Sequence, residues 1–130
     1  MAQLLVLVVE DRPMNAKLLR DVLSASGYDV VEAADAETGL AIARERRPAI
    51  VLMDIQLPGM DGVTAVRELK ADPRTAKIPV VAVTASAMPL EREAILRAGF
   101  DGYQAKPISV KELVAEVRRL VAQEAEPRAG

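Results

Sequence analysis

The stretch Ile50-Val51-Leu52-Met53-Asp54-Ile55-Gln56-Leu57-Pro58-Gly59-Met60-Asp61-Gly62 decides how this chain folds. Its first four residues are apolar without alternation. A strand reads that way when both faces of its sheet are covered. An acid follows at once, then a Pro-Gly-Met-Asp-Gly loop, then helical spacing that puts Val63, Val66 and Leu69 on one face as far as Lys70. Strand, acid-bearing loop and helix in that order form the first part of a parallel crossover unit.

The same pattern recurs outward in both directions. Leu4–Val9 and Val80–Val83 are again near-continuous apolar runs, while Val30–Ala33 and Gly102–Ala105 are weaker ones. Helical spacing fills the intervals, over Pro13–Ser26, Ala36–Arg46, Pro89–Arg97 and Val110–Gln123. Pro13 suits a first helical position, where its missing N–H costs nothing. Ser109 and Glu112 have the spacing of a capping box. Gly27 and Gly99 stand where a helix end wants a left-handed residue. The expectation is an α/β fold with a five-stranded parallel sheet and helices on both sides. No internal repeat or linker interrupts it, and the segment from Glu124 to Gly130 reads as a frayed tail.

Composition narrows the chemistry. At 130 residues the chain suits one domain, and with 51% apolar residues it is not a disordered one. It has no cysteine and no histidine, which excludes thiolate metal sites, cysteine nucleophiles and any phosphohistidine of its own. The net charge is −2 with its cations spread along the chain, an argument against nucleic acid as a direct partner. The apolar start is too short to span a bilayer and lacks the pattern of a signal peptide, so no membrane association and a cytoplasmic location are expected.

In a parallel sheet the carboxyl ends of all strands lie on one edge, where open α/β sheets bind their ligands. Here the first strand is followed by Glu10 and Asp11, the third by Asp54, the fourth by Thr84 and the fifth by Lys106-Pro107. Carboxylates gathered there would repel one another and need a cation. Without histidine or cysteine, that cation is an oxygen-seeking one: Mg²⁺, or Mn²⁺ in its place. One of the acids can then act as a nucleophile and form an acyl phosphate. Phosphoryl transfer asks chiefly for positioning and charge neutralisation, which a metal and a lysine supply.

Taken together, Leu7-Val8-Val9-Glu10-Asp11, the stretch Leu52 to Gly62, Val83-Thr84-Ala85 and Lys106-Pro107 resemble the motifs of bacterial response-regulator receiver domains over residues 4 to 121. Asn15, Lys17 and the run Lys106-Pro107-Ile108-Ser109-Val110 make the chain most similar to single-domain regulators of the DivK type. The resemblance implies a flavodoxin-like (β/α)5 fold with strand order 2-1-3-4-5, a receiver domain over residues 1–123 and a tail over 124–130. It implies Asp54 as the phosphoacceptor, with Lys106 and Thr84 on the phosphoryl oxygens. The metal ligands it implies are Asp11, Glu10, Asp54 and the backbone carbonyl of Gln56. Tyr103 matches the aromatic that turns inward when Thr84 moves, and the Lys106–Pro107 bond is expected to be cis. Gln56 and Ser86 hold places that tune phosphoryl lifetime. The implied partner is a histidine kinase or phosphotransfer protein. Output would pass to regulatory proteins through the face made by the fourth helix, fifth strand and fifth helix, the chain carrying no output domain. It would be a phosphoacceptor and binding switch, not a turnover enzyme, though one that assists its own phosphorylation and slow dephosphorylation.

Each residue also has a plainer reading. Glu10-Asp11 alone would be an acidic pair favoured by a helix dipole. Asp54 alone would be a turn former, Thr84 a strand-end residue, Lys106 a solvated lysine and Tyr103 an ordinary half-buried tyrosine. Asp61-Gly62 reads as turn and helix-start chemistry, and Arg44, Arg46 and Arg47 as cations at a helix end. Rival functions on the same fold are a flavin binder, a metal-dependent aspartyl hydrolase and a degenerate receiver scaffold. The first wants a phosphate-friendly loop where two acids stand. The second wants a D-x-D after the first strand and a cap that excludes water. The third would not need the intact acids and lysine.

Overall fold

The computed structural model describes residues 4–57, 59–84 and 89–125. Strands and helices alternate throughout: β1 (Leu5–Val9), α1 (Pro13–Ala25), β2 (Asp29–Ala33), α2 (Ala36–Arg46), β3 (Ile50–Asp54), α3 (Gly62–Ala71), β4 (Val80–Thr84), α4 (Pro89–Ala98), β5 (Gly102–Ala105) and α5 (Val110–Ala125). All pairings are parallel and the sheet order is β2-β1-β3-β4-β5, as the resemblance implies.

The pleat sorts the apolar runs into two layers. Leu7, Val9, Val51, Met53, Val80 and Ala82 face one side, where Leu40 of α2, Val66 and Leu69 of α3 and Ile95 of α4 cover them. Val6, Val8, Ile50, Leu52, Val81 and Val83 face the other, under Leu19 and Leu23 of α1 and Leu113, Val117 and Leu120 of α5. Both sides of the three inner strands are therefore dry, which is why those strands read as unbroken apolar runs. The edge strand β2 carries Asp29 and Glu32 on exposed positions and reads more weakly for that reason.

Boundaries differ from expectation where a ladder or cap outreaches the apolar run. β3 and β4 take in Asp54 and Thr84 as their last residues, because Asp54 pairs with Val83, and Thr84 with Ala105. β1 starts one residue late, at Leu5. α3 starts at Gly62, where Asp61 caps it by accepting from the Thr64 N–H at 2.8 Å. α5 continues to Ala125, and the rest of the expected tail, 126–130, lies outside the described residues. Pro13 opens α1, and Gly27 and Gly99 have positive φ, as expected. Half of the capping box forms, Ser109 accepting from the Glu112 N–H at 3.4 Å.

Two ion-pair groups brace the edge of the sheet away from the strand carboxyl ends. Asp101 accepts from the Val80 N–H and from Lys70, each at 2.8 Å, and so locks the start of β4 to the start of β5. Asp72 joins Arg44 (3.2 Å) to Arg74 (2.9 Å), so Arg44 does more than offset a helix dipole. The guanidinium of Arg74, hydrogen-bonded to the carboxyl of Asp72, pushes that group down to about 2.

Arg47 ends α2 in the left-handed region at φ 46°, a conformation that costs a side-chain-bearing residue about 1 kcal/mol. Arg47→Gly is expected to stabilise the fold by about 0.5–1 kcal/mol, raising the melting temperature by about 2–4 °C. An unchanged or lower melting curve would contradict this.

Candidate functional site

The pleat that sends Val8 and Leu52 toward α1 and α5 carries on to Glu10 and Asp54. The ladder supports it, since the Glu10 N–H still donates to Ala33 O at 3.0 Å. β1 and β3 are neighbours, so the acids that end them meet. The carboxylate oxygens of Glu10, Asp11 and Asp54 lie within 4.8 Å of one another. Glu10 and Asp54 are buried and Asp11 is exposed.

Lys106 arrives from the end of β5 across the intervening strand β4. Its backbone N–H donates to Thr84 O at 2.7 Å. Its Nζ donates to Asp54 Oδ2 at 3.0 Å and to Glu10 Oε1 at 3.1 Å. The Lys106–Pro107 peptide is cis, as expected. The second oxygens of the buried acids are held by backbone donors: Gln56 N–H on Asp54 Oδ1 at 3.0 Å and Arg12 N–H on Glu10 Oε2 at 3.2 Å. Thr84 is buried beside them at the end of β4.

Charge is unbalanced in this basin, where among the described residues three carboxylates face one ammonium. Burial pushes the Glu10 carboxyl up, and the nearby Asp54 adds to the rise against the pull of the Arg12 N–H and Lys106. Burial alone would lower the Lys106 ammonium, but its hydrogen bonds to Asp54 and Glu10 outweigh that and raise it. Lys106 therefore stays a cation, and the acids compete for positive charge that one lysine cannot fully supply. Such a donor set, all oxygen with one acid open to solvent, fits a hard divalent cation.

One close approach was not legible from residue types. A Cβ on Gly62 would stand 2.7 Å from Asp54 O and 2.8 Å from Ile55 Cα. The Gly62 N–H also donates to Ile55 O at 2.9 Å. The start of α3 thus presses against the backbone that presents Asp54. Asp61-Gly62 is helix-start chemistry, as expected, and also a brace behind the acid. A glycine next to a cap residue was the only sequence signal for it.

Tyr103 lies half-buried on the opposite side of β5, at the margin of the layer under α4. The Arg92 guanidinium sits 5.5 Å from its ring centroid. Ser86 lies outside the described residues.

The family model of the response regulator receiver domain matches residues 6–118. The chain belongs to this family. The receiver domain is 42% identical over 113 residues to the polar-differentiation response regulator DivK of Brucella anthropi, covering 87% of this chain and 92% of that one. DivK of Brucella ovis matches with the same identity and coverage. Among solved structures, the receiver domain of sensor histidine kinase PA1611 from Pseudomonas aeruginosa superposes with a TM-score of 0.86 at 36% identity, covering 93% of this chain and 99% of that one. That structure holds a magnesium ion in its active-site cleft. The receiver domain of a signal transduction histidine kinase from Syntrophus aciditrophicus gives 0.87 at 28% identity, covering 98% and 96%. These neighbours share the flavodoxin-like architecture, and the DivK relatives place the receiver domain with two-component response regulators. No helix among the described residues is long and apolar enough to cross a membrane.

Proposed function

We propose that the chain accepts a phosphoryl group from a histidine kinase or phosphotransfer protein on Asp54, and that the new charge switches a surface read by other proteins. One observation carries this reading: three carboxylates within 4.8 Å, with an ammonium 3.0 Å from the central one. Asp54 Oδ attacks phosphorus while the P–N bond of the donor phosphohistidine breaks. The imidazole leaves with the bonding pair and takes up a proton. Asp11, Glu10, Asp54 and the Gln56 carbonyl would hold Mg²⁺, or Mn²⁺, which when bound neutralises charge on the phosphoryl oxygens.

The remaining work falls to the protein. Gln56 N–H fixes one oxygen of Asp54, and Lys106 supplies a permanent cation on the side of the acyl phosphate. Phosphorylation gives Lys106 and the Thr84 hydroxyl a new dianionic group with three acceptor oxygens to contact. Since Lys106 N–H is already bonded to Thr84 O, the ends of β4 and β5 move together. Tyr103, on the strand that leads into Lys106, follows, and the α4-β5-α5 face changes shape. The bias toward that state equals the difference in contacts between the two. Lys106 and Thr84 assist formation and loss of the phosphoryl group, but the chain does not turn over a substrate.

Incubation with acetyl phosphate and Mg²⁺ is expected to add one phosphoryl mass per chain, and chelation by EDTA to abolish the gain. Labelling indifferent to EDTA would sink the metal assignment. No labelling from acetyl phosphate or from any phospho-kinase would sink the function.

A further inference from the structure

The chain has two tyrosines, Tyr28 and Tyr103, and no tryptophan. Tyr103 enters the sheet in register with Ala82 of β4, and its side chain reaches only the margin of the core layer. The ring is half-buried, and over it sits the guanidinium of Arg92, 5.5 Å from the centroid. Arg92 comes from α4 and is itself exposed. The two residues share an open hollow of about 510 Å³ with Gln104, Glu112, Glu116 and Arg119. Within that hollow Arg119 and Glu116 pair with each other. Arg92 makes no ion pair with the acids there among the described residues, so the ring is its partner.

We infer that Arg92 is a positioning residue for Tyr103: stacked on the ring, it holds the side chain at the margin of the core and so sets the resting balance of the switch. The inference rests on the reading of Asp54 as phosphoacceptor and Tyr103 as the aromatic that turns inward. A cation is attracted to the negative face of an aromatic ring. The attraction exists only while the ring lies where Arg92 reaches it. An inward ring leaves the guanidinium to water. The contact therefore favours one state over the other, which is what a bias on a two-state equilibrium requires. At an exposed site it is worth about a two- to five-fold change in that equilibrium.

The consequence is measurable at Asp54. A ligand that selects the inward state binds with an apparent affinity proportional to the fraction already in that state. Arg92→Met keeps the length of the side chain and removes the charge. It is expected to tighten binding of Mg²⁺–beryllofluoride, a phosphoryl mimic, by about two- to five-fold. Arg92→Lys, which keeps a cation, should stay near the wild type. In a Tyr103→Leu background Arg92→Met should have no effect, since the ring it acts on is gone.

Titration calorimetry of these variants gives the affinities. A second readout is ¹⁹F NMR of 3-fluorotyrosine in the Tyr28→Phe background, where Tyr103 is the sole tyrosine. Its resonance should move on Arg92→Met before any ligand is added. An affinity unchanged by Arg92→Met, or changed equally with and without the Tyr103 ring, overturns the inference. A wild-type chain that binds no Mg²⁺–beryllofluoride overturns the phosphoacceptor reading instead. In that case the ¹⁹F signal alone reports whether Arg92 positions the ring.

Discussion

Asp54→Asn is expected to reduce phosphoryl incorporation from acetyl phosphate at least about a hundredfold, to background, without loss of the fold. The amide is a poor nucleophile, and among the described residues neither neighbouring acid is placed to replace it. Glu10 is buried behind Lys106, with both oxygens occupied by Lys106 and the Arg12 N–H. Asp11 is exposed and no lysine contacts it among the described residues. Asparagine can still accept from the Gln56 N–H, so the turn after β3 keeps its hydrogen bond. Lys106 loses one partner but keeps Glu10 at 3.1 Å. The buried pair therefore gives up attraction while the acid cluster sheds repulsion, and these terms oppose each other. Melting temperature should change little or rise. Intact-mass analysis after incubation decides the outcome, and full labelling of the variant would remove Asp54 as the acceptor.

Gly62→Ala is expected to cost about 2–3 kcal/mol, lowering the melting temperature by about 6–12 °C. The added methyl would meet Asp54 O at 2.7 Å and Ile55 Cα at 2.8 Å. Both are backbone atoms at the end of a buried strand, so neither can yield as a flexible side chain would. Relief requires α3 to back away, which strains the Gly62–Ile55 hydrogen bond, or requires the end of β3 to shift, which moves Asp54 off Lys106. The variant should therefore also label more slowly than its folded fraction explains. A useful contrast is Gly27→Ala, where nothing lies within 4 Å and only the positive φ is penalised, at about 1 kcal/mol. Thermal denaturation of the two variants side by side separates steric from conformational cost. A Gly62→Ala protein that melts with the wild type would refute the close-approach argument.

Local patterning carried much of this protein by itself. Unbroken apolar runs at Ile50–Met53 and Val80–Val83, short and each followed by helical spacing, read as inner parallel strands because a strand dry on both faces needs no alternation. The absence of histidine and cysteine left oxygen as the donor chemistry at the strand ends. Strand order came from the motifs and not from periodicity, since any order satisfies the same apolar pattern. The tertiary structure alone decided the rest, because it depends on distance between residues far apart in the chain. It set Lys106 between Glu10 and Asp54, pushed α3 against the backbone of Asp54 at Gly62, and laid Arg92 over Tyr103. The Lys-Pro motif marks Lys106 for the basin but not for its bond to Glu10, and the glycine and the arginine carry no mark of their roles in sequence. Each acquires its role from which strand ends beside which and from how little room lies between them.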